Sequence, residues 1–345
     1  MKILVVGPAW VGDMVMAQSL LIELKSRYKG IVIDMLAPPA SLSVAERMPE
    51  VRKTIALPIK HGVLDIGQRW KIARELSKEG YGRAYLTPNS LKSALIPFLA
   101  RIPKRIGWRG EMRYLLLNDL RILDPERYPR MVDRFVALAL ANRARMPEVV
   151  PDPKLRIHDG ERQGVLERLG LSVDERPVLA LCPGAEFGPS KRWPEEHFAE
   201  VAARRIEDGW QVWIFGSPAD KACGNKIRSL IGDKNDAYCH NIAGATSLPE
   251  AIDVMSLADA VVSNDSGLMH VAAALNRPLV AIYGSTSDQF TPPLSKKTEI
   301  LSIALHCSPC FERECALGHT RCLRDLPPTM VLEALNRLPQ PVAVV

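Results

Sequence analysis

The sequence predicts an α/β protein built of two doubly wound domains, and three observations carry that expectation. Short runs of Ile, Leu and Val alternate with longer segments of helical periodicity along most of the chain. The alternation breaks at Met146–Pro153, where three prolines fall within eight residues, and then restarts. Polar, glycine-bearing turns follow the strands expected to end at Cys182, Phe215, Val262 and Tyr283, the edge at which parallel sheets hold ligands. A length of 345 residues exceeds one ordinary core and suits two domains. The division expected is 1–150, 151–328, and a terminal helix and tail over 329–345 that packs back on the N-terminal domain.

In order, Lys2–Val6 reads as a strand buried on both faces. The turn Gly7–Asp13 leads into a helix over Met14–Arg27. Its two glycines lack the spacing of a dinucleotide fingerprint. Asp13 stands just before the helix, either as its cap or as a carboxylate at the carboxyl edge of the sheet. Strands are expected at Ile31–Leu36, near Thr54–Leu57 and at Arg83–Leu86, with helices through Ala45, over Arg69–Lys78 and over Leu91–Ala100. A loop between the second and third helices carries Lys60 and His61. Pro103–Tyr114 interleaves Arg and Lys with Trp and Tyr, a pattern able to bind phosphate and stack on a ring. Pro129–Arg145 reads as a further helix.

After the linker, a helix is expected over Gly160–Leu169 and a strand over Val178–Cys182. The turn Pro183–Pro194 then carries Gly184, Ser190, Lys191 and Arg192, a phosphate cradle with a cationic arm or else a long surface loop. Glu195–Glu207 is a helix and Gln211–Phe215 a strand. Asp220 follows as a ribose ligand or a helix cap. Further elements are expected at Tyr238–Ile242, Glu250–Leu257, Leu279–Tyr283 and Thr329–Leu338. The organising stretch is Val261–Leu275: a β-branched strand, the polar knot Asn264–Gly267, then a helix of small apolar residues. The helix start offers free N–H groups and a positive dipole end, so Asp265, Ser266, Gly267 and His270 form a candidate anion site fit for a diphosphate. Capping alone would explain Asp265 or Ser266, and a buried core position would explain His270.

Charge is unevenly spread. The chain carries a net +6, yet residues 1–150 hold 25 Lys and Arg against 14 Asp and Glu, and the remainder 20 against 25. The N-terminal half is therefore suited to an anionic partner: nucleic acid, a membrane surface or a phosphorylated substrate. No nucleic-acid motif accompanies it, and a nucleic-acid binder leaves the phosphate loops of the second half unexplained. No run is long enough to span a membrane and the N-terminus lacks a signal-peptide pattern, so a cytoplasmic protein is expected. Cys307, Cys310, Cys315 and Cys322 fall within sixteen residues, with His306 and His319 nearby. The leading Cys-x2-Cys suits a structural zinc, but the later spacing is not that of a standard finger, and free thiols or disulfides stay open.

The segments Gly7–Asp13, Pro88–Ala94, Gly107–Tyr114, Cys182–Pro194 and Asn264–His270 together resemble the ADP-heptose:lipopolysaccharide heptosyltransferases of glycosyltransferase family 9. The resemblance runs from Met1 to about Pro293. It implies a GT-B fold, two Rossmann-like domains facing a central cleft. It implies ADP-L-glycero-D-manno-heptose as donor on the C-terminal domain, and the heptosyl-Kdo-lipid A inner core as acceptor on the N-terminal domain at the cytoplasmic membrane face. Transfer would invert the anomeric centre, with no cofactor and no catalytic metal. On this reading Asp13 matches the family's catalytic aspartate and takes the acceptor proton. Gly184, Ser190, Lys191, Asp220, Asp265, Ser266, Gly267 and His270 serve the donor. Asn89, Lys92, Arg109 and Arg113 meet the anionic acceptor. A heptosyltransferase acting on a neighbouring acceptor, or a nucleotide-sugar epimerase, is the alternative.

Overall fold

A computed structural model describes residues 1–339 apart from 61, 174–175 and 233–235, so His61 and the tail beyond 339 lie outside the described residues. The chain divides into two units, Met1–Leu155 and Arg156–Val345, with the boundary just past the proline-rich linker.

Unit 1 alternates β1 (Lys2–Val6), α1 (Val11–Arg27), β2 (Val32–Ala37), α2 (Pro39–Glu46), β3 (Val51–Ala56), α3 (Ile66–Leu76), β4 (Arg83–Leu86), α4 (Leu91–Leu99), β5 (Lys104–Trp108), β6 (Asp119–Arg121) and α5 (Met131–Ala139). Among the described residues its sheet is six-stranded and parallel, in the order β3-β2-β1-β4-β5-β6. Helices cover both faces of such a sheet, which is why β1 has no polar alternation: Ile3, Leu4, Val5 and Val6 are all buried. Each such side chain contributes roughly 1.5–3 kcal/mol on leaving water. The strand order reverses between β1 and β4, so the turns after these two strands open a crevice at the carboxyl edge.

Unit 1 differs from the sequence reading in several places: strand β6 is unexpected, and α5 spans Met131–Ala139 within the expected Pro129–Arg145. Helix α1 begins at Val11, so Asp13 lies inside its first turn, and the N-cap is Trp10. The basic, aromatic stretch is half strand: Lys104–Trp108 forms β5, with Ile106 and Trp108 buried and the Trp108 indole Nε1 donating to the Arg134 carbonyl at 3.0 Å. The cations masked a strand because they sit at its exposed start.

Unit 2 runs α6 (Asp159–Leu169), β7 (Val178–Cys182), α7 (Glu195–Glu207), β8 (Gln211–Ile214), α8 (Lys221–Ile231), β9 (Cys239–Asn241), α9 (Leu248–Met255), β10 (Ala260–Asn264), α10 (Gly267–Ala274), β11 (Leu279–Tyr283), β12 (Thr298–Ser302), α11 (Arg321–Arg324) and α12 (Pro328–Arg337). Its described strands form a second six-stranded parallel sheet, β12-β11-β10-β7-β8-β9. The order reverses between β7 and β10, the strands that precede Pro183–Pro194 and Asp265–Gly267. Helix α12 packs on α7, β11 and β12, with Val331, Ala334 and Leu335 in the unit 2 core. Its apolar face completes the helical layer over β11. Helix α8 and strand β12 escaped the sequence reading. Only Gly224, Ile227 and Ile231 of α8 are buried, and β12 is an edge strand with one buried residue.

Candidate active site

At the carboxyl edge of the unit 1 sheet, three turns meet: Gly7–Trp10 after β1, Thr87–Ser90 after β4 and Arg109–Arg113 after β5. The Thr87 hydroxyl donates to the Val6 carbonyl at 2.9 Å and ties the first two together. Asp13 is half-buried in the first turn of α1, where a carboxylate complements the helix dipole. Asn89 and Arg109 are exposed, and Lys92 is half-buried in the first turn of α4. Gly110 crosses Asn89 so closely that a Cβ there would stand 2.1 Å from the Asn89 carbonyl oxygen.

Arg113, expected to meet the acceptor, is buried beneath this edge. It is 1% exposed, and its guanidinium donates to the carbonyls of Pro88 (2.7 Å), Ser90 (3.2 Å) and Trp108 (2.6 Å), to Ser93 Oγ and to Asn89 Oδ1. A planar fork with five donors is what such a cluster of acceptors needs, and here it staples the β4 and β5 turns and orients Asn89. Burial pulls the guanidinium down to about 10, which still leaves it charged at neutral pH. Arg113→Ala is expected to destabilise the protein by about 3 kcal/mol or more, because several buried carbonyls lose their donor. Lys92→Ala is expected to leave the unfolding midpoint unchanged and to raise the acceptor KM. Thermal unfolding together with acceptor titrations separates the two.

At the carboxyl edge of the unit 2 sheet, α10 starts at Gly267 with Ser266 as N-cap in extended conformation, and the Ser266 side chain makes no capping bond. The first-turn amides and the dipole are therefore directed at whatever anion approaches. The residue before the cap, Asp265, is 5% exposed and accepts the Lys191 ammonium at 2.6 Å and the Thr286 hydroxyl at 2.6 Å on the same oxygen, Oδ2. A lysine from the β7 turn is thus fixed beside the helix start, with Phe187 under it at 4.9 Å from ammonium to ring centre. Asn264 braces the same turn: its Oδ1 accepts from Trp193 N at 3.1 Å and its Nδ2 donates to the Pro183 carbonyl at 2.6 Å. Thr286 and Asn264 had no individual role in the sequence reading. Their signal was position alone, since both stand at the carboxyl ends of strands.

His270 lies one turn into α10, buried and facing the charges of Lys191 and Asp265. Burial, reinforced by Lys191, brings it down to about 4 against the pull of Asp265, so the ring is neutral at pH 7. The unfolded chain binds a proton near 6.5 that the folded chain refuses until about 4. Stability is therefore unaffected above pH 6.5 and falls as the pH drops toward 4, by about 3 kcal/mol at the acid end. His270→Asn is expected to flatten the denaturant midpoint between pH 6.5 and 4.

Three donor-side candidates make contacts within the protein. Ser190 is buried; its hydroxyl donates to the Glu312 carbonyl and lies 3.0 Å from Ser285 Oγ, so it braces the loop. Asp220 closes a capping box, accepting from Ser217 N (2.9 Å) and Oγ (2.7 Å), with Arg192 3.7 Å from its other oxygen. Gly184 serves that packing: a Cβ on it would lie 2.6 Å from the Asp220 carboxylate.

The cysteine segment buttresses this edge. Phe311 N donates to the Ser285 carbonyl (2.7 Å), Ser190 N donates to the Arg313 carbonyl (3.2 Å), and a Cβ on Gly188 would stand 2.3 Å from Arg313 O. The residues do not fit the expected structural zinc. No three His, Cys, Asp or Glu side chains among the described residues come together in a metal-holding group, and the four cysteines are free. Cys322 belongs to the unit 2 core and Cys310 is exposed, while the Cys315 thiol is drawn down chiefly by the backbone N–H of Thr320, joined by those of Leu317, His319 and Gly318.

Comparison with known proteins places this geometry. The sequence model described as glycosyltransferase family 9 (heptosyltransferase) matches residues 69–321. The chain is 48% identical to the lipopolysaccharide heptosyltransferase 2 of Escherichia coli K12 over 98% of both sequences. It is 44% identical to the lipooligosaccharide heptosyltransferase 2 of Haemophilus influenzae, over 98% of this chain and 99% of that one. The structure of the E. coli ADP-heptose lps heptosyltransferase II superposes with a TM-score of 0.88 at 46% identity, over 97% of this chain and 98% of that one.

Proposed function

Because the chain belongs to glycosyltransferase family 9, we propose that it transfers L-glycero-D-manno-heptose from ADP-heptose to the heptosyl-Kdo-lipid A inner core of lipopolysaccharide. The observation that carries the reading is the end-to-end match to heptosyltransferase 2 chains, which covers both units and so includes acceptor and donor machinery. The acceptor hydroxyl oxygen attacks the anomeric carbon as the bond to the diphosphate oxygen breaks, which inverts that centre. Asp13 takes the hydroxyl proton. Lys191 and the first-turn amides of α10 take up the negative charge that develops on the departing ADP. Asp265 and Thr286 hold Lys191 for that task, and neutral His270 keeps a further charge out of the site. Lys92, Arg109 and Asn89, the last oriented by Arg113, meet the anionic acceptor.

No described helix is long and apolar enough to cross a membrane. The proposal places the enzyme in the cytoplasm, peripheral to the inner membrane that presents its lipid acceptor. The test offers ADP-heptose with heptosyl-Kdo-lipid A, with Kdo-lipid A lacking the first heptose, or with no acceptor. The reading expects product with the first alone. Transfer to the second indicates a neighbouring step, and conversion of the donor without acceptor indicates an epimerase.

A further inference from the structure

Large apolar side chains stand exposed on unit 1 in a rim beside the acceptor edge, with Trp70 stacked under Arg74. Ile66 and Trp70 are 62% and 55% exposed on α3, and Met112 and Leu115 are 82% and 88% exposed after β5. Leu64 and Tyr114 join them from the adjoining loops. Both groups flank the first turn of α4. Arg69 bridges one side, its guanidinium donating to the carbonyls of Leu64 and Lys92. Glu111 bridges the other, its carboxylate accepting from Leu91 N at 2.7 Å and its N–H donating to the Asn89 carbonyl at 3.2 Å.

The stretch of sequence that carries this rim is one-sided in charge. From Arg69 to Arg113 there are eleven basic residues and three acidic ones. Two carboxylates among the apolar groups are occupied at helix starts: Asp65 caps α3 through Gln68 N at 3.0 Å, and Glu111 sits on the first amide of α4, while Glu75 on α3 is held by Lys78 and lies in the field of Arg74 and Lys71. Lys60, Lys71, Arg74 and Arg109 remain exposed around them. Bulky apolar and aromatic tips ringed by exposed cations are what a headgroup layer binds: the tips enter the acyl boundary and the cations meet lipid phosphate.

We propose that this rim, formed by α3, the start of α4 and the loop 110–116, docks unit 1 on an anionic bilayer and so brings the carboxyl edge holding Asn89 and Lys92 to the lipid surface. Only the last step rests on the transferase reading.

The experiment is vesicle flotation of the full chain on phosphatidylcholine with and without phosphatidylglycerol. Two variants are compared with wild type: Ile66→Ser/Met112→Ser/Leu115→Ser, which removes the apolar tips, and Lys71→Glu/Arg74→Glu, which reverses charge and keeps them. Wild type is expected to bind anionic vesicles at least about tenfold more tightly than neutral ones, with a steep loss in salt, and each variant to lose about tenfold. ADP binding and transfer to a deacylated, water-soluble acceptor should be unchanged in both variants, while transfer to vesicle-embedded acceptor falls. Wild type that ignores anionic vesicles, or variants that bind them like wild type, would overturn the docking face. Normal vesicle behaviour with no transfer to the soluble acceptor by any of the proteins would leave docking supported and count against the transferase reading.

Discussion

Asp13→Ala is expected to lower heptose transfer by on the order of 10²–10⁴-fold while ADP affinity stays within about twofold, the range that loss of a positioned general base produces. Direct displacement at the anomeric carbon releases one proton from the acceptor hydroxyl, and that proton needs a carboxylate at the edge where the acceptor binds. Asp13 stands beside the switch point between β1 and β4, the edge proposed for the acceptor, in the first turn of a helix whose following residues Met14 to Leu21 are buried and fix its backbone. Asp13→Asn keeps the shape and removes the base, so it should match the alanine variant in kcat. If the asparagine protein retained full activity, Asp13 would be a helix-terminus residue and the base would lie elsewhere.

Lys191→Ala is expected to weaken ADP binding by about 10–100-fold and to lower kcat as well, because the ammonium stabilises charge that grows as ADP leaves. The substitution has a second consequence. Asp265 is 5% exposed, and without Lys191 its carboxylate keeps only the Thr286 hydroxyl among the two partners on Oδ2. Removing one member of a buried pair destabilises by about 3–5 kcal/mol when the other charge stays buried. Lys191→Ala/Asp265→Asn should therefore recover stability relative to Lys191→Ala and recover no activity. Calorimetric unfolding and ADP titration on the four proteins of that cycle separate the structural part of the pair from its part in leaving-group stabilisation.

Much of the fold was readable from residue type and period. β1, β7, β10 and β11 are largely aliphatic runs buried on both faces, and within unit 2 the turns after β7, β10 and β11 gather because a parallel sheet places all strand ends of one sense on one edge. The strand Lys104–Trp108 was hidden because its first residues are cations held at the surface, and α8 because it buries so few side chains. Within the candidate site, the strand–turn–helix around Asn264–His270 was legible, but the direction of single side chains was not. Ser190 and Arg113 have the chemistry of ligand contacts and spend it on backbone carbonyls, a choice made by tertiary packing that spacing does not record. The cysteine spacing suggested a metal for the same reason: the thiols stand near enough that, with burial, Cys310, Cys315 and Cys307 raise Cys322, yet no three metal-ligating side chains among the described residues form a metal-holding group.

The most direct test of the central claim is mass spectrometry of heptosyl-Kdo-lipid A incubated with the purified protein and ADP-heptose, with ADP quantified in the same reaction. The account predicts one added heptose per acceptor and one ADP per heptose transferred, with inverted configuration at the new linkage. An unmodified acceptor in the presence of folded, ADP-binding protein would contradict it.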